Sequence, residues 1–535
     1  ELLDAATKLY TNSFADMTER EDLFNTSLDL AMAESNWGVW VTDNLSYSPY
    51  SAKLTGAYDL AGGFGSSQLL PYTLRFVGSE GGEVKIAQSG ILVQPWNPIA
   101  GSNWTDDAMV QRFTMDYGAV YDPYTGLLLP KLVEKAEVVV KNGLPVNDDG
   151  SDWVTLSTAD EIKVPEDAWV DWDAANQKFI TAAEKFPEGT TANVKSTVYY
   201  IPDLYTSETW HDGSPFTIGD VVNFMILNFD LGKPESKLYD ETLAPGVETF
   251  LTHFKGVKIV SQDPLVIETY DDTYALDSSL NITTWFPEKY YPSAFSASGW
   301  AWHDLVGAEL AEENGELAFS TDKAQANEVE WTSLIAGPSL ETQMKYLDQA
   351  IADSYIPFAP TLSEYITADE AAARYANLKA FYEAHGHIAL GTGPYMVDAV
   401  YPVEGSIVLT RVESYPFSAS MFADFGEPKL ATVAVEGPVS VTKGEEAAFD
   451  ITVDFNGEAY PSDQIASVAY LVFDAENNVV ATGEAVSTGD GMYQAVLDAD
   501  TTAALTEGGS KISVAVTSAV VSIPAFGDYE FVVSE

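Results

Sequence analysis

The stretch "WHDGSPFTIGDVVNFMI" (210–226) holds a turn and the start of a helix, and its reading decides the fold. Asp212-Gly213 is a tight-turn signal. Thr217 suits a helix N-cap, with Asp220 at the third helical position. There a carboxylate meets unpaired backbone N–H groups and the positive end of the helix dipole. Trp210 and Phe216 are expected to pack around the turn, and Val221, Val222 and Met225 to face a core. His211 beside Asp212 is the pair a catalytic reading would choose. Every residue of the stretch already has a structural task, so the structural reading is preferred.

Outward from it, the chain alternates strands and helices. Residues 18–35, "TEREDLFNTSLDLAMAES", read as a helix. "WGVWVTD" (37–43) alternates as a strand, and "GAYDLAGGFG" (56–65) reads as a second strand running into glycines. The glycine-rich "GSEGGEVKIA" (78–87) marks a boundary followed by a fresh strand. "ITADEAAARYANLKAFYEAH" (366–385) is the clearest helix, opened by a Thr367–Glu370 capping box, with Leu378, Phe381, Tyr382 and His385 on one face. The last hundred residues differ. Phe449, Ile451, Val453 and Phe455 alternate with Asp450, Thr452 and Asp454, and Asn456-Gly457 then supplies a turn. Short strands between turns argue a β-sandwich of immunoglobulin-like size. Three parts are expected: an α/β segment over 1–77, a larger α/β region over 78–430 and an all-β sandwich over 437–535.

Composition narrows the function. The chain of 535 residues carries 26 Lys+Arg against 81 Asp+Glu, a formal net charge of −55. A field of that sign repels phosphate backbones and anionic headgroups, so no nucleic-acid partner is expected. The absence of Cys removes disulfides, thiol nucleophiles and Cys-ligated zinc and suits an extracytoplasmic protein. No apolar run approaches the ~18 residues of a membrane span. The sequons at Asn25, Asn44, Asn103 and Asn281 decide nothing.

Catalytic and metal chemistry find little support. Of the five His, only His385 and His387 are close together, where a helix ends and its dipole favours a cation. HExxH, P-loop and GxSxG motifs are absent. "GGFG" (62–65) and "GTGPY" (391–395) lack the strand and helix of a dinucleotide site. "NDDGSD" (147–152) is a candidate Ca²⁺ loop without the regular spacing or distal Glu. No cofactor and no enzyme activity are expected.

The same residues resemble a known family. Trp210, Asp212, Gly213, Pro215, Thr217, Asp220, Val221 and Val222 match W-x-D-G-x-P-x-T-A-x-D-V-V, with Ile218 in place of Ala. That is the signature of the family 5 solute-binding proteins of ABC transporters, the dipeptide/oligopeptide-binding group. "GTGPYMVDAVYPVEGSIVLTRVESYP" (391–416) is similar to the family's second landmark, with Arg411 and Tyr415 matching and Val412 replacing Asn. "GGEVKIAQSGILVQPWNPI" (81–99) and "YDPYTGLLLPKL" (121–132) resemble two more, in family order. The front segment, 1–77, resembles the family's domain III, which normally follows GTGPY. The chain therefore looks permuted or cut from a longer precursor.

The resemblance implies a two-lobed periplasmic-binding-protein-like α/β fold that closes over a solute by hinge motion, plus the immunoglobulin-like sandwich. It implies a peptide or similar small solute as ligand and an ABC permease as partner. From the family's pocket positions, ligand contacts are expected at Phe64, Gly65, Ser66 and Ser67, at Ala100, Gly101, Ser102, Asn103 and Trp104, and at Trp285 and Phe286. Peptide binders of the family place an Asp near Ser67 to pair with the ligand's α-amino group. A neutral hydroxyl there cannot supply that charge-assisted bond. Trp300 and Trp302 are expected at the cleft mouth or covering it. The alternative is a surface-layer or extracellular-matrix protein that reuses the fold and self-assembles through its sandwich, or associates with the upstream part of its precursor.

Overall fold

The computed structural model describes residues 1–11, 13–34, 47–101, 104–282, 301–423 and 425–535. The chain forms two compact units whose sequences interleave. The first comprises Glu1–Leu54, Gln68–Tyr121 and Leu127–Met421; the second comprises Thr55–Ser67, Asp122–Gly126 and Phe422–Glu535.

The first unit is mixed α/β. It opens with helices α1 (Leu2–Tyr10) and α2 (Met17–Leu28), the latter capped by Asp16, whose carboxylate accepts the Glu19 N–H at 2.9 Å. A π-helical turn, Asp29–Glu34, continues α2, so the helix expected over 18–35 forms through residue 34. The strand expected over 37–43 lies outside the described residues. The strand expected after residue 81 does not form: residues 81–91 have no regular element. Val84 and Ile86 alternate as a strand would, but a strand exists only where a neighbour takes its hydrogen bonds. Side chains of helix α3 (Thr105–Thr114) tie the segment down instead. Asp106 accepts the Gly90 N–H at 2.9 Å and Asp107 accepts the Leu92 N–H at 2.8 Å.

A seven-stranded sheet carries the core. Its strands are β1 (Val133–Lys141), β2 (Val154–Ala159), β3 (Trp169–Asp173), β4 (Lys178–Thr181), β5 (Val194–Tyr200), β6 (Phe254–Gln262) and β7 (Leu265–Asp271). The order is β2-β1-β5-β7-β6-β3-β4. Only β1 and β2 run parallel. Ala136, Val138 and Val140 alternate inward on β1, and Val198 and Ile267 do so on the neighbouring strands. Against this core lie α4 (Ile218–Asp230), α5 (Trp302–Glu313), α6 (Ser339–Asp353) and α7 (Ala368–His385). Val221, Val222 and Met225 of α4 are fully buried, as the opening stretch requires. An antiparallel hairpin, β8 (Tyr395–Tyr401) and β9 (Ser406–Arg411), follows the GTGPY loop.

The second unit is a β-sandwich with short additions. One sheet runs β10 (Thr432–Glu436), β12 (Ala447–Phe455), β16 (Met492–Leu497), β15 (Val486–Gly489). The other runs β11 (Ser440–Thr442), β18 (Ala525–Ser534), β17 (Gly508–Ser518), β13 (Ile465–Phe473), β14 (Val479–Glu484). Phe449, Ile451 and Val453 from one sheet and Ile512, Val514 and Phe531 from the other share one buried core. Asn456 and Gly457 take positive φ values of 54° and 81°, the two left-handed positions of a tight hairpin turn. The chain changes sheets at Gly437, where a Cβ would lie 2.4 Å from the Phe449 ring.

Residues 56–65, expected as a strand, form a turn in this unit. The Asp59 carboxylate accepts the N–H groups of Ala61 at 2.9 Å and Gly62 at 2.6 Å, and Asp59 and Gly63 exchange backbone bonds. An Asp followed by Leu-Ala-Gly-Gly curls the backbone onto its own side chain.

Candidate functional site

The signature stretch sits at a buried polar junction. The Asp220 carboxylate accepts the Thr217 N–H at 2.8 Å, closing the helix start as expected, and also accepts the Trp302 N–H at 3.2 Å. Arg374 of α7 reaches it bidentately, Nη1 to Oδ1 at 2.8 Å and Nη2 to Oδ2 at 2.9 Å. Nη2 also donates to the Pro215 carbonyl at 2.6 Å and to Thr217 Oγ1 at 3.0 Å. The guanidinium lies 5.2 Å from the Trp302 ring centre, a cation–π distance.

Asp212 sits on the other side of the junction. It accepts the Ser214 N–H at 2.9 Å, and its second oxygen pairs with His303 Nε2 at 2.8 Å. Arg374 Nη1 lies 3.3 Å from His303 Nδ1. Arginine can only donate, so Nδ1 accepts and the ring proton sits on Nε2, directed at Asp212. Burial pushes the Asp212 carboxyl up, but the bonds from His303 and Ser214 outweigh it and hold it below the usual carboxylate range. Asp304, next to His303, is driven well above that range by burial and then by the charges of Asp212 and Asp220.

This constellation holds Asp, His and Arg at acid–base distances, but a reacting group must touch its substrate. The His303 and Asp212 side chains have 0% exposure and Arg374 has 1%. The network therefore joins α4, α5 and α7 and cannot reach an external substrate.

His211 points away from it. Its N–H donates to the Gly391 carbonyl at 3.0 Å, and Nε2 lies 3.1 Å from the Gly393 carbonyl. Burial lowers its pKa to about 4, so the ring is neutral and Nε2–H donates. The GTGPY loop thus touches the WHDG turn directly. The loop also rests on the end of α3: Gly393 N–H donates to the Thr114 carbonyl at 2.9 Å, and a Cβ on Gly391 would lie 1.9 Å from that oxygen. Tyr395 packs edge-on against Phe113.

The expected ligand positions fall in both units. Phe64, Gly65 and Ser66 form a 3₁₀ turn of the second unit, with Phe64 against Tyr58 and Ser66 exposed. Ser67 is only 3% exposed, so its hydroxyl is inside and does not face solvent. Ala100 and Gly101 belong to the first unit. The Asn97 side chain accepts the N–H groups of Ile99 and Ala100, at 3.1 and 2.8 Å, and donates to the carbonyls of Phe319 and Thr332. A Cβ on Gly101 would meet the Asn97 backbone at 2.3 Å, so only glycine fits that turn. Trp104 is 40% exposed and fixed by its Nε1–H bond to the Gly90 carbonyl at 2.9 Å. Ser102, Asn103, Trp285, Phe286 and Trp300 lie outside the described residues. Trp302, expected at the cleft, is fully buried in α5 and stacks edge-on against Tyr375.

The candidate Ca²⁺ loop uses two of its three carboxylates internally. Asp148 accepts the Gly150 N–H at 3.0 Å; Asp149 accepts Ser151 N–H at 3.0 Å and Ser279 N–H at 2.7 Å. Among the described residues no group of three or more His, Cys, Asp or Glu is placed to hold a metal ion. His385 Nδ1 bonds the Asp398 carbonyl at 3.0 Å and His387 Nε2 the Val397 carbonyl at 3.1 Å, so both imidazoles serve the β8 backbone. The capping box expected on α7 is half made. Thr367 accepts the Glu370 N–H, whereas the Glu370 carboxylate turns to Thr217 Oγ1 at 3.0 Å and to Arg374.

Sequence reasoning missed Arg374 and His303. The available signal was Arg374 itself, a charge one helical turn before Leu378 on the apolar face of α7, where an unpaired cation is not tolerated.

No protein-family model matches the chain. No curated protein matches it. Among solved structures, the CARDB domain of a Pyrococcus furiosus protein, in complex with di-metal ions, is similar at 18% identity and a TM-score of 0.14. It covers 19% of this chain and 87% of that one. A TM-score at that level carries no structural argument. Among the described residues no helix is long and apolar enough to cross a membrane.

Proposed function

We propose that this chain is an extracytoplasmic solute-binding protein that captures peptides or similar small solutes between two lobes of the periplasmic-binding-protein type and passes them to an ABC permease. The observation that carries the reading is the direct contact between its two strongest sequence landmarks. The WHDG turn and the GTGPY loop, 180 residues apart (211 to 391), meet through His211 and the carbonyls of Gly391 and Gly393. Trp104 supports it as an exposed aromatic whose ring is fixed by a hydrogen bond, so it offers contact area at low entropic cost. Calorimetry with peptide and oligosaccharide libraries tests the proposal. Binding in the micromolar range or tighter is expected, with at least about tenfold loss in Trp104→Ala. Absence of any binding by the folded chain would count against it.

The second reading, a surface-layer or matrix protein assembling through its sandwich, draws on a specific feature. Val486, Met492, Val496 and Phe526 on sandwich strands are 70%, 51%, 42% and 70% exposed. Size-exclusion chromatography at varied Ca²⁺ and salt separates the readings, because self-repulsion of a −55 chain is screened by salt. A monomer under every condition would sink the second.

A further inference from the structure

The chain passes between its two units at residues 54/55, 67/68, 121/122, 126/127 and 421/422. The first-unit segments flanking the last four passages converge on one buried ion pair. Asp116 precedes the excursion 122–126 and Lys131 follows it. Their charged groups are in direct contact, and both side chains have 0% exposure. Tyr72, just after the passage at 67/68, directs its hydroxyl between the Met115 carbonyl at 3.2 Å and Asp116 Oδ1 at 3.3 Å. Tyr415, just before the passage at 421/422, donates to Asp116 Oδ2 at 2.7 Å. The Lys131 ammonium lies 3.9 Å from the Phe417 ring centre, 5.1 Å from that of Tyr72 and 5.4 Å from that of Tyr415.

Two charges removed from water need nearly all of their partners supplied by the protein. Here the carboxylate takes one donor locally, the Tyr117 N–H at 2.7 Å; its side-chain donors, and the ring faces around the ammonium, come from flanks that are remote in sequence. Removing either charge strands the other in the interior and takes the common partner from every flank at once. Ordinary core packing predicts otherwise: each flank would then be held by its own local neighbours and would open separately, or together with the rest of the unit.

We propose that the Asp116–Lys131 pair is a clasp that locks the roots of these passages into one cooperative element, which opens as a unit while the sheet and α4 stay folded. The clasp is a conformational device: its opening frees the first-unit ends of the connections without unfolding the first unit.

Hydrogen exchange of the full chain by mass spectrometry, in rising denaturant, tests this. Segments 68–76, 112–118, 127–133 and 412–418 are expected to exchange with one common midpoint, below that of 218–230 in α4. In Lys131→Met the same four segments should exchange roughly 100-fold faster, with 218–230 unchanged. Separate midpoints for the four segments in the unaltered chain, or a midpoint shared with α4, would overturn the clasp. So would unchanged exchange in a folded Lys131→Met. If that variant does not fold, the unaltered chain's midpoints decide.

Discussion

Arg374→Met isolates the contribution of the junction beneath the signature stretch. The guanidinium is 1% exposed and makes two bonds to Asp220, one to the Pro215 carbonyl and one to Thr217, and stands beside Glu370 and His303. Methionine fills much of the same space and removes the charge. Asp220, with 0% side-chain exposure, then keeps only the Thr217 and Trp302 N–H donors. Breaking one side of a buried ion pair costs about 3–5 kcal/mol. The two remaining donors place the Asp220 loss near the low end, and the orphaned Pro215 carbonyl adds about 1 kcal/mol. The sum is about 4 kcal/mol, a large part of the ~5–15 kcal/mol that holds a domain together. Denaturant unfolding followed by Trp fluorescence reads it cleanly, because all 12 Trp lie in the sequence of the first unit. Removing both charges in Arg374→Met/Asp220→Asn should recover at least about 1 kcal/mol, since replacing both partners of a buried pair costs less than breaking it. A loss below about 1 kcal/mol in the single variant, or no recovery in the double, would refute the account of Arg374 as the tie between α4 and α7.

Two further expectations concern the first unit, the second of them with a control at Gly65 of the second unit. Burial, and then the charge of Glu313, push Asp230 up to about 6. The folded form therefore holds the proton: stability is full below the unfolded pKa of about 4 and falls as pH rises through 6. Asp230→Asn should thus gain up to about 3 kcal/mol at pH 8 and almost nothing at pH 4, measured by urea unfolding at the two pH values. Equal effects at both would disprove the assignment. In Gly391→Ala the new Cβ would stand 1.9 Å from the Thr114 carbonyl oxygen, so the backbone must move, at a cost of about 3 kcal/mol or more. Gly65→Ala meets nothing within 4 Å and should change stability by less than about 0.5 kcal/mol. Thermal melts of the pair suffice, and a tolerated Gly391→Ala would contradict the close packing of the GTGPY loop.

Local chemistry was legible in the sequence. Asp212-Gly213, the Thr217–Asp220 helix start, the α7 boundaries and the alternation on β12 are each decided within a few residues. Turns and caps are satisfied by near neighbours, and a half-buried strand shows its period of two directly. The alternation of Val84 and Ile86 had the same form and produced no strand, because pairing depends on a partner that the segment itself does not contain. The turn at Asp59 was hidden for the converse reason: its side chain takes the backbone bonds that a ladder would have used. Only the tertiary structure revealed what the charged residues do. Asp220 closes its helix, as its position suggests, but it is also the anchor for Arg374, 154 residues away (220 to 374). Asp212 turns to His303, and Lys131 gathers Tyr72, Asp116, Tyr415 and Phe417. The stretch 210–226 therefore determined by itself that a turn and a capped helix stand there. Which remote donors satisfy its carboxylates, Arg374 at Asp220 and His303 at Asp212, was decided by the folded chain, because a buried charge is stabilised by whatever packing brings within 3 Å and sequence separation does not enter that energy.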